Sequence, residues 1–189
     1  MPEQNLTILG REVVAAASLD QVLMARDRRA ACQGQLLARY GLPVLSLTLV
    51  SPGPVKDSPG RRRLMAMAEK AVSDEIRAAG LTVRQQARID GIAGPEALWV
   101  VAASPDRLKR LAIQIEETRP WGRLLDVDVV IAGAGREPVP LGRQTLGREP
   151  RRCLVCGGVA KECIGSQRHH PAIAAAIVAA HIARCTGQP

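Results

Sequence analysis

Apolar and polar positions between residues 43 and 132 repeat with two periods, one of two residues and one of about 3.6 residues. The shorter period, or a compact run of leucine and β-branched residues, predicts strands at 44–50, 81–89, 97–103 and 122–131. The helical period predicts helices at 58–80 and 104–118. Each of these helices opens with Ser-Pro, the residues favoured at the N-cap and at the first helical position.

The predicted order is β-α-β-β-α-β, which is the order of the ferredoxin-like split β-α-β unit. We therefore expect an α+β fold with a ferredoxin-like core over residues 43–132. The length of 189 residues fits a single domain, 1–189. An N-terminal helical segment, 11–42, and a Cys- and His-containing segment with a C-terminal helix, 150–189, flank the core.

The N-terminal segment is predicted as one helix from about Arg11 to Tyr40, with Ser18 as a plausible N-cap. Its apolar stripe consists of Leu19, Val22, Leu23, Leu36 and Leu37. The charged run 26–29 in its middle is either an exposed helical turn or a clamp for phosphate. Arg26 is the candidate phosphate ligand in the second interpretation.

Two aspartates interrupt the apolar strand that follows Gly122 and Arg123. Because side chains alternate along a strand, Asp126 and Asp128 point to one face and Val127 and Val129 to the other. Two carboxylates on one face of a largely buried strand need a counter-charge. A divalent cation, Mg²⁺ above all, supplies it, since Mg²⁺ prefers oxygen ligands that it shares with phosphates. The alternative is an ordinary polar face on an edge strand.

The ferredoxin-like arrangement brings distant loops together at one edge of the sheet. Lys56, Asp57, Glu96, Arg123 and Asp126 are all predicted to converge there. The helix after Ser58 also begins at this edge, and arginines 61–63 in its first turns would suit an anion.

Four residues of the tail have the spacing of metal ligands: Cys153, Cys156, Cys163 and His169. Two residues separate the first pair, which is common for thiolates that share one metal. A tetrahedral Zn²⁺ site with four protein ligands would be structural, because it leaves no open position. Reduced, partly buried thiols and a redox pair are the alternatives.

The formal net charge of +8 favours an anionic partner such as a polyphosphate, an acidic protein or a nucleic acid. Nucleic acid is disfavoured because only Tyr40, Trp99 and Trp121 are available for stacking. No apolar run reaches membrane-spanning length, and the N-terminus lacks the layout of a signal peptide. We expect a cytoplasmic protein with no membrane partner, and its five cysteines to be thiols or metal ligands.

Five motifs follow one another along the chain: Arg26-Asp27-x-Arg29, Pro52-Gly53-Pro54-x-Lys56-Asp57-Ser58, Gly94-Pro95-Glu96, Pro120-x-Gly122-Arg123-Leu124-x-Asp126-x-Asp128-Val129, and Arg151-Arg152-Cys153-Leu154-x-Cys156 with Cys163 and His169. In these motifs the chain resembles the apo-citrate lyase phosphoribosyl-dephospho-CoA transferases, also called holo-citrate lyase synthases. The resemblance extends from about Leu19 to His169. At Met65 it leads us to expect an aromatic residue, so ring stacking from that position is in question.

The resemblance implies a nucleotidyltransferase-type reaction. The donor would be 2′-(5″-triphosphoribosyl)-3′-dephospho-CoA, the acceptor a serine of the acyl carrier subunit of citrate lyase, and pyrophosphate the leaving group. The segment 122–128 is also similar to the metal-binding strand of classical nucleotidyltransferases, so a nucleotidyltransferase-like α/β fold is the alternative architecture.

Phosphoryl transfer asks a protein mainly for positioning and charge neutralisation, and the candidate residues suit that chemistry. Asp126 and Asp128 would hold Mg²⁺ against the triphosphate. The predicted phosphate- and substrate-binding residues are Arg26, Lys56, Arg62, Arg123 and Glu96. Asp57 would either accept the serine proton or act as a third metal ligand.

Two other functions compete with the transferase. The positive charge and the Cys/His tail are compatible with a zinc-stabilised nucleic-acid-binding module, which would bind with a steep salt dependence. A non-catalytic assembly factor for the lyase would bind the carrier without turnover. A related carrier, such as that of malonate decarboxylase, is an alternative acceptor.

Overall fold

A five-stranded antiparallel sheet forms the centre of the protein in the computed structural model, which describes residues 6–9 and 12–187. Its strands lie in the spatial order β4-β5-β3-β6-β7: β3 (Val44–Leu49), β4 (Thr82–Ile89), β5 (Glu96–Ala102), β6 (Leu125–Ala132) and β7 (Pro138–Pro140). Every pairing in this sheet is antiparallel. The α+β class is therefore confirmed, and the sheet lacks the parallel pairing of an α/β protein.

Two helices cover one face of the sheet, α2 (Pro59–Ala78) and α3 (Pro105–Thr118). As predicted, each is capped by a serine: Ser58 Oγ accepts a hydrogen bond from Arg61 N at 3.3 Å, and Ser104 Oγ accepts one from Arg107 N at 3.4 Å. Their apolar faces meet the sheet in the main core, which has these central members: Leu45, Leu47, Met65, Val72, Trp99, Leu108, Ile115, Val127 and Val129. Since Met65 is fully buried in this core, it cannot stack on a ligand.

A third long helix, α1 (Leu19–Tyr40), covers only part of the opposite face. Its second half packs there through Leu37 against Val44, Leu98 and Val130. Its first half does not pack as the predicted apolar stripe requires, since Leu19 is 72% exposed and Leu23 44% exposed. The sheet face beneath the first half of α1 is thus left open.

The N-terminal helix is shorter than predicted. Two antiparallel strands, β1 (Leu6–Leu9) and β2 (Glu12–Ala15), lie before it, and residues 10 and 11 are outside the described residues. The helix begins only after Ser18, where a capping box forms: Ser18 Oγ accepts from Gln21 N, and Gln21 Oε1 accepts from Ser18 N. Residues 12–15 form a strand instead of a helix because they pair with β1, and their β-branched valines favour an extended backbone.

The C-terminal region wraps back onto the core. It contains α4 (Ala160–Gly165) and α5 (Pro171–Thr186), and a short 3₁₀ turn at Arg143–Leu146 precedes them. Another 3₁₀ turn, Gly122–Leu124, lies directly before β6. Helix α5 docks through Val178 and Ile182 onto Leu64 of α2 and Leu124. Among the helices that the structure describes, none is long and apolar enough to cross a bilayer.

Gly122 fixes where β6 begins. A Cβ atom at this position would collide with the carbonyl oxygens of Ile115 and Glu116. Only glycine therefore lets the turn before β6 pass this close to the last turn of α3. This close approach sets the starting point of the strand that carries the two aspartates.

Candidate functional site

The open sheet face carries the two aspartates. Asp126 and Asp128 are partly exposed on it, whereas Val127 and Val129 are buried in the main core, so the predicted alternation is confirmed. In the register of β3 with β6, Asp126 lies opposite Thr48 and Asp128 opposite Ser46. The carboxylates therefore share one polar patch of this face with the hydroxyl side chains of Thr48 and Ser46.

A cavity of about 1380 Å³ opens above this patch. Its walls come from the first half of α1, the loop after β3, the loop before β5, the start of β6 and the cysteine segment. Most of the predicted site residues line it: Arg26, Lys56, Glu96, Arg123, Asp126 and Asp128. Loops that are far apart in the sequence thus meet at one place.

Gly94 allows two of these loops to touch. It adopts a φ of +99°, which favours glycine, and a Cβ there would lie 2.8 Å from the carbonyl oxygen of Lys56. The Gly94-Pro95-Glu96 motif therefore has a backbone role: it lets the loop before β5 pack against the loop that carries Lys56.

Asp57 and Arg62, two of the predicted site residues, do not line this cavity. They border a separate shallow depression with Arg88 and Asp90. Arg62 Nη2 lies 2.5 Å from Asp57 Oδ2, and Arg62 Nε donates to the same carboxylate at 3.0–3.1 Å. Asp57, which directly precedes the N-cap of α2, is therefore paired with Arg62 of that helix and does not share the cavity with the carboxylate pair.

The counter-charges of the two carboxylates come from the protein itself in this structure. Arg151 Nη1 donates to Asp126 Oδ1 at 2.6 Å, and Lys109 Nζ lies 3.6 Å from Asp128 Oδ1. Burial is the largest cause of a raised pKa at Asp128; the charge of Asp126 adds to it and Lys109 opposes it. Sequence reasoning identified neither cation as a site residue, although Arg151 belongs to the quoted Arg-Arg-Cys motif.

Ionic side chains also close the unpaired edge of β6. Strand β7 pairs only with residues 130–132, so the first part of β6 has no neighbouring strand on that side. There Val127 N donates to Glu116 Oε1 at 2.9 Å, and Lys109 Nζ donates to the Val127 carbonyl at 3.4 Å. Arg151 donates to the Leu125 carbonyl, and Arg143 forms an ion pair with Glu116. The network satisfies backbone groups that would otherwise remain unpaired at a buried edge.

Two cations meet at Ser51, and one of them, Lys56, lines the cavity. Lys56 Nζ donates to the Ser51 carbonyl at 2.5 Å, and Arg61 Nε donates to Ser51 Oγ at 3.3 Å. Burial is the main cause of a lowered pKa at Lys56, and the positive charges of Arg61 and Arg26 lower it further. An anion between these groups would relieve their repulsion, so the electrostatics favour a phosphate ligand here.

Glu96 supports a further cation, Arg29, which sequence reasoning did not select although it closes the first motif. Glu96 is 4% exposed and forms an ion pair with Arg29 from α1. Burial raises the pKa of Glu96, and the charge of Arg29 opposes this shift. Since Arg29 is itself a cavity-lining residue, Glu96 holds a positive charge at the wall.

The four predicted metal ligands lie together, and three of them, Cys153, Cys163 and His169, line the cavity. Ligand atoms of Cys153, Cys156, Cys163 and His169 all lie within 4.8 Å of one another. A hydrogen bond from Gly158 is the main cause of a lowered pKa at Cys156, about 6, while burial raises the pKa of Cys163 to about 11. Arg123 Nη2 donates to the Cys153 carbonyl at 3.0 Å, which ties this cluster to the start of β6.

Fold and site together define an α+β protein whose large cavity is lined by a carboxylate pair and several cations. The family model for apo-citrate lyase phosphoribosyl-dephospho-CoA transferases (CitX) matches residues 17–183. Proteins of that name are similar to this chain: the one from Citrobacter koseri is 36% identical, and those from Escherichia coli O1:K1 and Shigella boydii serotype 18 are 35% identical. Each match covers 154 residues, 82% of this chain and 82% of the relative. The chain belongs to this family, which confirms the resemblance seen in the sequence motifs.

Proposed function

We propose that this protein attaches the phosphoribosyl-dephospho-CoA group to apo-citrate lyase. In detail, the donor is 2′-(5″-triphosphoribosyl)-3′-dephospho-CoA and the acceptor a serine hydroxyl of the acyl carrier subunit. The observation that carries the proposal is the single cavity in which family motifs from distant parts of the chain meet. Neither the nucleic-acid-binding module nor the assembly factor is favoured, because the relatives are named as transferases.

The cavity suits a large, highly charged donor. Its volume of about 1380 Å³ exceeds the range of roughly 300–1,000 Å³ that is usual for small-ligand pockets. Lys56, Arg26 and Arg29 supply positive charge from one side, and Arg123 supplies it near the start of β6. These cations would bind the phosphates and orient the α-phosphorus towards the carrier serine.

The nucleotidyltransferase-type step joins the serine oxygen to the α-phosphorus, breaks the bond between that phosphorus and the bridging oxygen of the pyrophosphate, and releases the serine proton to solvent. Negative charge therefore grows on the leaving group, where nearby cations are most effective. Arg151 could stabilise this negative charge, because it lines the cavity and contacts both Asp126 and the Leu125 carbonyl of β6. Asp57 is outside this cavity, so we do not assign it the serine proton.

We further propose that Asp126 and Asp128 hold Mg²⁺. Their carboxylates fit this ion because they offer hard oxygen ligands from one strand face, open to the cavity. When bound, Mg²⁺ would neutralise charge on the triphosphate and on the leaving pyrophosphate. Arg151 and Lys109 are the charges that now neutralise the pair, so their side chains would have to share the carboxylates with the ion.

The proposal also includes the fold class of the core and the cellular location of the protein. We assign the core to the ferredoxin-like class, which the strand order β4-β5-β3-β6 and the order β-α-β-β-α-β support. We place the protein in the cytoplasm, where the carrier is modified in this proposal and where unpaired thiols persist.

The test is mass spectrometry of the carrier after incubation with donor, Mg²⁺ and enzyme. We expect the carrier to gain the mass of the prosthetic group at one serine, with release of pyrophosphate. Asp126→Asn and Asp128→Asn should abolish the gain while the protein remains folded, and Asp74→Asn, in a surface pair on α2, should leave it unchanged. Full labelling by both cavity variants would defeat the assigned role of the carboxylate pair.

A further inference from the structure

We infer that Cys153, Cys156, Cys163 and His169 form a structural Zn²⁺ site that builds one wall of the cavity. The first support is distance. Ligand atoms around tetrahedral zinc lie roughly 3.5–3.8 Å apart, given Zn–S and Zn–N bonds of about 2.3 and 2.0–2.1 Å. The Sγ atoms of Cys156 and Cys163 lie 3.5 Å apart, and all four ligand atoms fall within 4.8 Å. Only a small contraction would bring the whole set into coordination.

The second support is an unsatisfied atom. His169 Nε2 is buried and has no hydrogen-bond partner among the described residues. A buried imidazole nitrogen without a partner is costly, and metal coordination is a common way to satisfy it. The same residue completes the ligand set, so the orphaned nitrogen and the sulfur cluster point to one ligand.

The local backbone has the form that a metal-binding turn needs. Residues 152–159 form a tight hairpin in which Cys153 N donates to the Gly158 carbonyl at 2.6 Å and Gly157 has a φ of +73°. Val155 N lies 3.4 Å from Cys153 Sγ and donates to it. Amide hydrogen bonds to ligand sulfurs are a familiar outer shell of metal–thiolate sites. The third sulfur comes from Cys163 on α4, so the site ties a hairpin to a helix.

The position of the cluster gives the metal a consequence beyond local folding. Cys153, Cys163 and His169 line the same cavity as the aspartates. Arg151 lies just before the first ligand and contacts Asp126, and Arg123 donates to the Cys153 carbonyl. Zinc would therefore fix the backbone that presents Arg151 to the carboxylate pair. This consequence for Arg151 rests on the proposed function, whereas the metal site itself does not.

The experiment measures metal in protein purified without chelators, by elemental analysis and by X-ray absorption at the zinc edge. We expect about one zinc per chain, bound by three sulfurs at about 2.3 Å and one nitrogen at about 2.0–2.1 Å. Cys156→Ser, at an exposed ligand position, should lower the zinc content at least tenfold, and Cys185→Ser, outside the cluster, should retain it.

The inference would be overturned by zinc-free protein from such a preparation, or by zinc retained in full by both Cys156→Ser and His169→Ala. A disulfide between Cys156 and Cys163 in the purified protein would also overturn it, in favour of a redox pair. Because none of these readouts is enzymatic, they separate the site from the proposed activity. Zinc-loaded protein that fails to label the carrier would instead count against the transferase.

Discussion

Lys56 illustrates at the scale of one residue how the cavity prepares a phosphate site. It is partly buried beside Arg61 and Arg26, and among the described residues its ammonium has one hydrogen-bond partner, the Ser51 carbonyl. Replacing it with methionine should weaken pyrophosphate binding by about ten- to a hundredfold, since a charge-assisted hydrogen bond contributes roughly 1.5–3 kcal/mol. Isothermal titration calorimetry measures this, with Lys70→Met on the exposed face of α2 as the control. Equal affinity in the two variants would remove Lys56 from the phosphate site.

The lowered pKa of Lys56 predicts that pyrophosphate binding depends on pH. A lysine with a lowered pKa loses its proton at a lower pH than an ordinary lysine, whose value is 10.5. Pyrophosphate affinity should therefore fall as pH rises towards that value. Lys56→Arg keeps its charge throughout this range, so its affinity should stay nearly flat. Parallel pH profiles for the two proteins would show that another group controls binding.

At this scale, the sequence predicts side chains that follow a strand's period but not side chains that arrive from elsewhere. Asp126 and Asp128 were assigned to one face because alternation is a local property of any strand. Their partners, Arg151 and Lys109, come from segments whose approach depends on the tertiary fold. The sequence therefore suggested a metal as the counter-charge, whereas the folded chain supplies two cations of its own.

At the scale of one element, β6 depends on Glu116 to close its exposed edge. Glu116 is 5% exposed, accepts from Val127 N and pairs with Arg143. Glu116→Ala should lower the free energy of unfolding by about 3 kcal/mol, because it leaves the Val127 amide without its partner and removes the buried partner of Arg143. Glu117 binds the same Arg143 at 2.9 Å but is exposed, so Glu117→Ala should cost less than about 1 kcal/mol. Urea denaturation of both variants decides this, and similar losses would contradict it.

Elements were predicted well where local signals agreed and poorly where they conflicted. Helices α2 and α3 carry a serine cap, a first-turn proline and an apolar stripe, and both were found close to their predicted bounds. Residues 12–17 combine valines, which favour strands, with alanines, which favour helices. Pairing with β1 decided this conflict, and such a partner cannot be seen in the local pattern.

At the scale of the whole molecule, the element order indicated which loops meet, and the cavity is indeed lined by them. What the sequence did not show is that the cysteine segment folds back over the same sheet face and completes the wall. That placement depends on Val178 and Ile182 of α5 docking on α2 and on Arg123 holding the Cys153 backbone. These are contacts between distant segments, with no periodic signal in either one.

The net charge of +8 also acts at this scale, because the proposed partner, an acyl carrier, is expected to be acidic. Long-range attraction would speed its encounter, and salt would screen it beyond about 8–10 Å. We expect kcat/KM for the carrier to fall about tenfold when NaCl rises from about 0.05 to about 0.5 M, with little change in kcat. Lys161 is exposed and lines the cavity, so Lys161→Gln should flatten this salt dependence, whereas Lys70→Gln on the exposed face of α2 should not. A salt-independent kcat/KM would mean that the carrier docks without help from the basic surface.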